Sequence, residues 1–173
     1  MSIDQMLDRE YEKYNVIKAM ANTIKESKIT SLRGSYFFLS NFYNSSVLFR
    51  GQIYQNAEAA FQATKCENKI DKMKFINISG KDAKKLGRRV KLREDWEEVK
   101  NQIMYEVVLE KFKQNSDLKI KLLRTGDKEI IEMNQWHDNI WGKCICSKCK
   151  DREGKNKLGK ILMEVRKELR EFA

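Results

Sequence analysis

Two short stretches of the 173-residue sequence gather the residue types that acid–base chemistry on a sugar requires. The first runs from Gly51-Gln-Ile-Tyr-Gln-Asn-Ala-Glu58 into Ala59-Ala-Phe-Gln-Ala-Thr-Lys65. A helix starting near Asn56 would set Glu58, Gln62 and Lys65 on one polar face through their four- and seven-residue offsets. A carboxylate, an amide and an ammonium would then converge, able to position a sugar phosphate and a water. An ordinary solvated helix has the same spacing. The second stretch reads Glu132-Met-Asn134-Gln-Trp136-His-Asp138-Asn-Ile-Trp141-Gly142. It offers hydroxyl acceptors, ring surfaces and polar groups for a nucleobase edge, the parts of a ribose-and-base pocket. Trp141 suits a core position equally well, and His137 a structural or surface one. As the single histidine of the sequence, His137 excludes any mechanism that needs two in one chain. No serine elbow supports a serine triad. The sequence also lacks a Gly-Lys-Ser/Thr P-loop and a strand-associated Gly-x-Gly-x-x-Gly.

A third cluster is made of thiols. Of the four cysteines, Cys66 stands apart while Cys144, Cys146 and Cys149 fall within six positions. Three soft ligands this close can converge on zinc if His137 or Cys66 supplies the fourth. The paired Cys-x-x-Cys knuckles usual in zinc modules are absent, so unbound reduced thiols and redox chemistry stand beside the structural-zinc reading.

The elements that must carry these residues are mainly helical, with small β components. Apolar residues at three- and four-residue steps predict helices over 57–66, 69–76, 81–88, 95–112, 117–123 and 156–172. Trp96, Val99, Ile103 and Val107 mark the core face of the longest, and the absence of proline leaves it uninterrupted. Ser79 and Asn115 stand where each could cap a following helix. Short strands are expected at 36–39, 47–49 and 129–132, where aromatic and β-branched residues sit between turn-forming positions. Ile3, Leu7, Tyr11, Tyr14, Ile17, Ala21 and Ile24 form one further stripe. Residues 1–29 therefore read as a helical extension packed on a single main domain, residues 30–173.

Composition bounds the partners. One hydrophobic core fits this length, and 35% charged residues imply a well-solvated surface. No apolar run reaches the roughly 20 residues of a bilayer span, and no secretory pattern opens the sequence, which predicts a cytoplasmic protein with no membrane partner. The formal charge is +10, and residues 69–93 hold ten Lys or Arg against Asp71 and Asp82, a local +8. Such charge favours phosphate-bearing partners without distinguishing small molecules from polymers, and a solvated basic face is its alternative reading. Oligomeric state is not legible.

One resemblance joins these observations. The ordered set Phe38-Leu-Ser-Asn-Phe-Tyr43, Ala57-Glu-Ala-Ala-Phe-Gln62 with Lys65, Ala83 to Arg88, Trp96, Lys111-Phe112, Leu123-Arg-Thr-Gly-Asp127, Glu132 through Gly142, and Asn156-Lys-Leu-Gly159 through Arg166 is similar to the NADAR/YbiA-like family. The similarity spans about residues 35 to 170. It implies the single-domain fold of that family and an N-glycosidase. The family's activities include hydrolysis of phosphorylated riboflavin-pathway intermediates and removal of ADP-ribose from modified nucleic-acid bases. The resemblance maps family function onto Asn41, Glu58, Lys65, Trp96, Glu132, Asn134, Asp138, Trp141 and Asn156. It gives Glu58 the central hydrolytic role, with Glu132 or Asp138 engaging ribose hydroxyls or assisting proton transfer. Trp136 joins these as a ring surface, and Arg88 and Arg89 as phosphate contacts beside Lys65. Asn156 and Gly159 are expected to shape the pocket, or else to cap and pack the last helix. No cofactor is required. The favoured substrate is an ADP-ribosylated nucleobase, free or in DNA or RNA. A ribosylamino-pyrimidine phosphate is the alternative, and a non-catalytic nucleic-acid or ADP-ribose binding module is the rival.

Overall fold

A computed structural model describes residues 9, 11–20 and 27–171 of the chain. Residues 11–20 are helical (α1), and Tyr11, Tyr14 and Ile17 of the predicted stripe are 67, 61 and 65% exposed. Ile3, Leu7, Ala21 and Ile24 lie outside the described residues.

The main fold is built around the long helix α5 (Trp96–Gln114), which buries Trp96, Ile103, Met104, Val107, Val108, Lys111 and Phe112. Val99 is half-buried against the same core. Helices α2 (Ala57–Ala63), α6 (Ser116–Leu123) and α7 (Lys157–Glu171) pack on α5. Their apolar stripes face one another, as in α7, where Leu158, Ile161, Leu162, Val165 and Leu169 recur at helical steps and are buried. Two shorter helices, α3 (Lys69–Met73) and α4 (Gly80–Leu86), contact α2 from the other side.

The described strands form three two-stranded pairs at the margins of this helical body. Lys28–Ile29 (β1) pairs in parallel with Glu129–Ile130 (β4), and Met133–Asn134 (β5) with Lys143–Cys144 (β6). Val47–Phe49 (β2) and Gln52–Tyr54 (β3) make a hairpin across Arg50 and Gly51, whose φ of 49° and 80° suit a tight two-residue turn. The mainly α architecture with small β elements agrees with the sequence reading.

Three local expectations are corrected. Residues 36–39 are not a strand but part of a 3-10 helix, Gly34–Leu39, entered through Gly34 at φ 56°. Phe38 and Leu39 are both buried although adjacent, which strand alternation does not allow where one face is solvated. The strand expected at 129–132 stops at Ile130, because the next residues turn toward β5. Asn115 does not cap α6: its Nδ2 donates to the carbonyls of Ser46 and Lys111 instead. Ser79 does cap α4, its side chain accepting from the Asp82 amide.

Lys111 is the exceptional core residue, wholly buried near the middle of the fold. Its Nζ donates to the carbonyls of Phe38 (2.7 Å) and Ser40 (2.8 Å) and lies over the Phe112 and Tyr43 rings. Burial lowers its pKa to about 7. The ammonium thereby pins the arch between the 3-10 helix and Asn41.

Candidate active site

Glu58 stands in the first turn of α2, where the helix dipole favours a carboxylate. Asn56 sets the start of this helix: its Oδ1 accepts from the Ala59 amide (2.8 Å), and its Nδ2 donates to Ile78 O (2.9 Å). The Glu58 amide donates to Asn41 O (3.0 Å), which ties the helix start to the arch pinned by Lys111. One turn on, Gln62 Nε2 donates to Glu58 Oε1 (2.8 Å), as the four-residue offset predicts. Gln62 can hold that place because residue 87 is glycine. A Cβ at Gly87 would stand 1.9 Å from Gln62 Oε1. Lys65 follows just beyond the helix, its Nζ donating to Gly87 O (3.0 Å) and lying over the Trp96 ring.

Most of the second stretch forms a tight loop between β5 and β6. Asn134 is its organiser: Oδ1 accepts from the amides of Trp136 and Asp138, and Nδ2 donates to Asp138 O (2.7 Å). Asp138 Oδ1 accepts in turn from the amides of Ile140 and Trp141, so one carboxylate oxygen is spent on the loop. Asn156, at φ 47°, donates from Nδ2 to Ile130 O (2.9 Å) and accepts the Glu132 amide on Oδ1 (3.0 Å). Gly159 makes this approach possible, since a Cβ there would stand 2.2 Å from Ile130 O. Asn156 and Gly159 therefore act by placing Glu132.

The two stretches face each other across one cavity of about 850 Å³, large enough for a nucleotide-sized ligand. Glu58, Glu132 and Asp138 supply carboxylates, and Lys65, Lys81, Lys84 and Arg88 supply cations. Phe61 packs between Trp96 and Trp141 at the base, with centroids 5.2 and 5.5 Å away. Trp136, 49% exposed, stands at the mouth within cation–π range of Arg33. Burial raises the Glu58 pKa and Asp138 raises it further, while Gln62, Lys84 and Lys65 oppose the rise. Burial, Asp138 and Glu58 push Glu132 up to about 7. Burial lowers the Lys65 pKa, against the attraction of Glu58. Among the described residues, three buried polar atoms without a partner belong to this cavity: Asn41 Oδ1, Gln62 Oε1 and Glu132 Oε2. Buried polar groups are nearly always satisfied, so Asn41 Oδ1 and Glu132 Oε2 are the candidate contacts for a ligand's polar groups, whereas Gln62 Oε1 lies against Gly87.

Nine predicted residues line the cavity: Asn41, Glu58, Lys65, Arg88, Trp96, Glu132, Trp136, Asp138 and Trp141. Asn134 and Asn156 lie behind the wall and position it. Arg89 is exposed and outside the lining, because the chain leaves α4 at Gly87 and only Arg88 turns inward. Lys81, Lys84, Arg33 and Phe42 were missed as individual residues. The three- and seven-residue steps from Lys81 to Lys84 and Arg88 would have separated one face of α4 from the rest of the basic stretch.

Beside the mouth, His137, Cys144, Cys146 and Cys149 bring their ligand atoms within 4.8 Å of one another, a group that could hold a metal ion. His137, not Cys66, completes it. Cys66 is buried in the main core.

A family model described as the NADAR domain matches residues 29–170. The chain is 37% identical over 141 residues to an N-glycosidase of Nostoc punctiforme, covering 78% of this chain and 86% of that protein. It is 33% identical over 142 residues to N-glycosidase YbiA of Escherichia coli, covering 80% and 85%. A riboflavin biosynthesis protein of Vibrio vulnificus is 36% identical over 139 residues, covering 79% of this chain but 36% of that longer protein. The NMR structure of Escherichia coli YbiA superposes with a TM-score of 0.71 at 30% identity, covering 84% of this chain and 87% of that one.

Proposed function

The chain belongs to the NADAR domain family and is a hydrolase of N-glycosyl bonds, and on that premise we propose that the bond it cuts joins a base or amine to a phosphorylated ribosyl group. The favoured substrate is an ADP-ribosylated nucleobase, free or in DNA or RNA. One observation carries this reading. Three carboxylates, Glu58, Glu132 and Asp138, share the lining of a single cavity with the cations Lys81, Lys84 and Arg88. A ribosyl group against the carboxylates would leave its phosphates to these cations.

In the proposed reaction the ribosyl C1′–N bond breaks as a water oxygen bonds to C1′, and positive charge develops on the sugar between the two events. Glu58, held by Gln62, stabilises that charge and takes the proton of the attacking water. Glu132, pushed up to about 7, retains a proton near neutrality and gives it to the leaving nitrogen. Asp138 keeps one oxygen for a ribose hydroxyl, the other being held by the loop amides. A charge-assisted phosphate contact contributes about 1.5 to 3 kcal/mol, and less at the exposed Lys81 and Arg88 than at the half-buried Lys84. The steps use no cofactor. We assign a structural zinc to the His137 cluster, and its close-packed thiols suit a reducing compartment, the cytoplasm.

The name of the Vibrio relative supports a second substrate, a ribosylamino-pyrimidine phosphate. Two panels decide between them: phosphorylated ribosylamino-pyrimidines, and ADP-ribosylated bases in nucleic acid, each analysed by mass for released products. Release from the second panel by wild type, with much slower release by Glu58→Gln, is the expected result. Release from the first panel alone would transfer the assignment to the metabolite. No product from either would leave a binding module in place of the enzyme's proposed substrate.

A further inference from the structure

The cysteine segment is knitted into the same loop that lines the pocket. His137 stands between Trp136 and Asp138, both of which line the cavity. Its backbone is left-handed, φ 67°, and its Nδ1 lies 3.3 Å from the Sγ of both Cys146 and Cys149. Cys146 and Cys149 are a Cys-x-x-Cys step closed by the Cys149 amide on Cys146 O (2.9 Å). Cys144 lies in β6, paired with β5, and its amide donates to Asn139 Oδ1 (2.9 Å). Cys144 and Cys149 are each 2% exposed. Tetrahedral zinc, with bonds of about 2.3 Å to sulfur and 2.0–2.1 Å to nitrogen, sets its ligands roughly 3.5–3.8 Å apart. The observed separations, all within 4.8 Å, reach that geometry by small side-chain adjustments. One nitrogen and three sulfurs form the soft set that zinc prefers over magnesium or calcium.

On the protein side, three hydrogen bonds from one side chain, Asn134, hold the turn from 134 to 138. That set bonds the backbone on either side of His137 but makes no bond to the His137 side chain or to the exposed Trp136 ring at the mouth. A metal bond to His137 Nδ1 would add an anchor between these two bonded positions, tying the residues on either side to the cysteine segment. We propose that a zinc ion bound by His137, Cys144, Cys146 and Cys149 holds the Trp136 and Asp138 side chains in their ligand-binding positions, so that metal occupancy governs substrate capture by the pocket.

This rests on the glycosidase reading only for its activity arm, and the experiment separates the two. Wild type, His137→Cys, His137→Gly and Cys146→Ser are purified with zinc and without chelator. Zinc content, far-UV circular dichroism, tryptophan fluorescence, ADP-ribose affinity by calorimetry, and kcat and KM on an ADP-ribosylated base are measured on each. His137→Cys keeps four ligands, and His137→Gly removes one while easing the left-handed backbone. Wild type and His137→Cys are expected to hold one zinc per chain with similar KM. His137→Gly and Cys146→Ser should lose zinc, shift the tryptophan emission and raise KM or the ADP-ribose Kd at least tenfold, with kcat changed less and circular dichroism retained. Wild type without zinc would overturn the site. Zinc loss with unchanged fluorescence and unchanged ADP-ribose affinity would overturn the coupling. Zinc-dependent fluorescence and affinity with no turnover in any protein would leave the coupling standing and reject the proposed reaction.

Discussion

Replacing Glu132 by Gln should make the protein more stable in alkaline solution and less active everywhere. Burial and the neighbouring Asp138 and Glu58 raise the Glu132 pKa from 4.5 to about 7 in the folded state. Well below 4.5 both states carry the proton and the group is silent. Between 4.5 and about 7 the unfolded chain ionises while the folded one does not, so folding loses stability as pH rises. Above 7 the loss is complete. At about 1.36 kcal/mol per pH unit the full effect is about 3.4 kcal/mol, of which about 2.5 kcal/mol falls between pH 5 and 9. Gln has nearly the same shape and cannot ionise. It also leaves an amide where Oε2 has no partner, a cost that does not vary with pH. The stability difference between Glu132→Gln and wild type should therefore swing in the variant's favour by about 2.5 kcal/mol from pH 5 to pH 9. That is a relative gain in Tm of roughly 5–10 °C for a domain of this size. Denaturant unfolding at both pH values, with thermal melts alongside, measures it. A difference that stays constant from pH 5 to 9 would refute the assignment of a buried, proton-retaining Glu132, and with it the proton donor of the proposed reaction.

Three further outcomes are expected. Gly87→Ala should cut turnover at least tenfold by driving Gln62 off Glu58, and a Gln62→Ala, Gly87→Ala double variant should recover the lost Tm but not the turnover. Lys84→Ala should raise KM for a phosphorylated substrate about tenfold, equivalent to about 1.4 kcal/mol, while Arg89→Ala, outside the cavity, leaves it unchanged; steady-state kinetics at two salt concentrations checks both. Lys111→Met leaves the Phe38 and Ser40 carbonyls without their donor and should lower kcat/KM about tenfold through Asn41. It should also abolish a rise in wild-type stability from pH 7 toward 10.5, where the folded amine is neutral and the unfolded one still protonated.

Helix α7 was the most legible from the sequence, because its buried Leu158, Ile161, Leu162, Val165 and Leu169 recur at helical steps, whereas α5 was readable from only a few core positions, Trp96, Ile103 and Val107. Of the short strands, Val47–Phe49 and the start of the one expected at 129–132 were legible, while β1, β3, β5 and β6 were not, since two- and three-residue pairs carry almost no period and are chosen by distant partners. In the pocket, the Glu58, Gln62 and Lys65 spacing was readable as local geometry. The role of Asn156 was not: Nδ2 and Oδ1 reach Ile130 and Glu132 only after α7 has docked with Gly159 against the chain before β5. Arg88 and Arg89 look equivalent in sequence, and the exit of the chain from α4 is what separates them. The His137 and cysteine cluster was readable as a set of candidate ligands, but not its attachment to the pocket loop, which depends on β6 pairing with β5.

The parallel pairing of Lys28–Ile29 with Glu129–Ile130 also has a consequence for the order of folding. The two strands are about 100 residues apart, and closing such a loop costs on the order of 4 kcal/mol of chain entropy before the contact returns anything. Local helices can form early, but the Glu132 segment leaves directly from this junction and cannot meet Glu58 until the junction has closed. A chain emerging from the ribosome can thus hold α2 and much of α5 in native form while remaining catalytically mute. Competence should arrive in one late step, slower than expected for so helical a protein, because its rate is set by the distant strand pair.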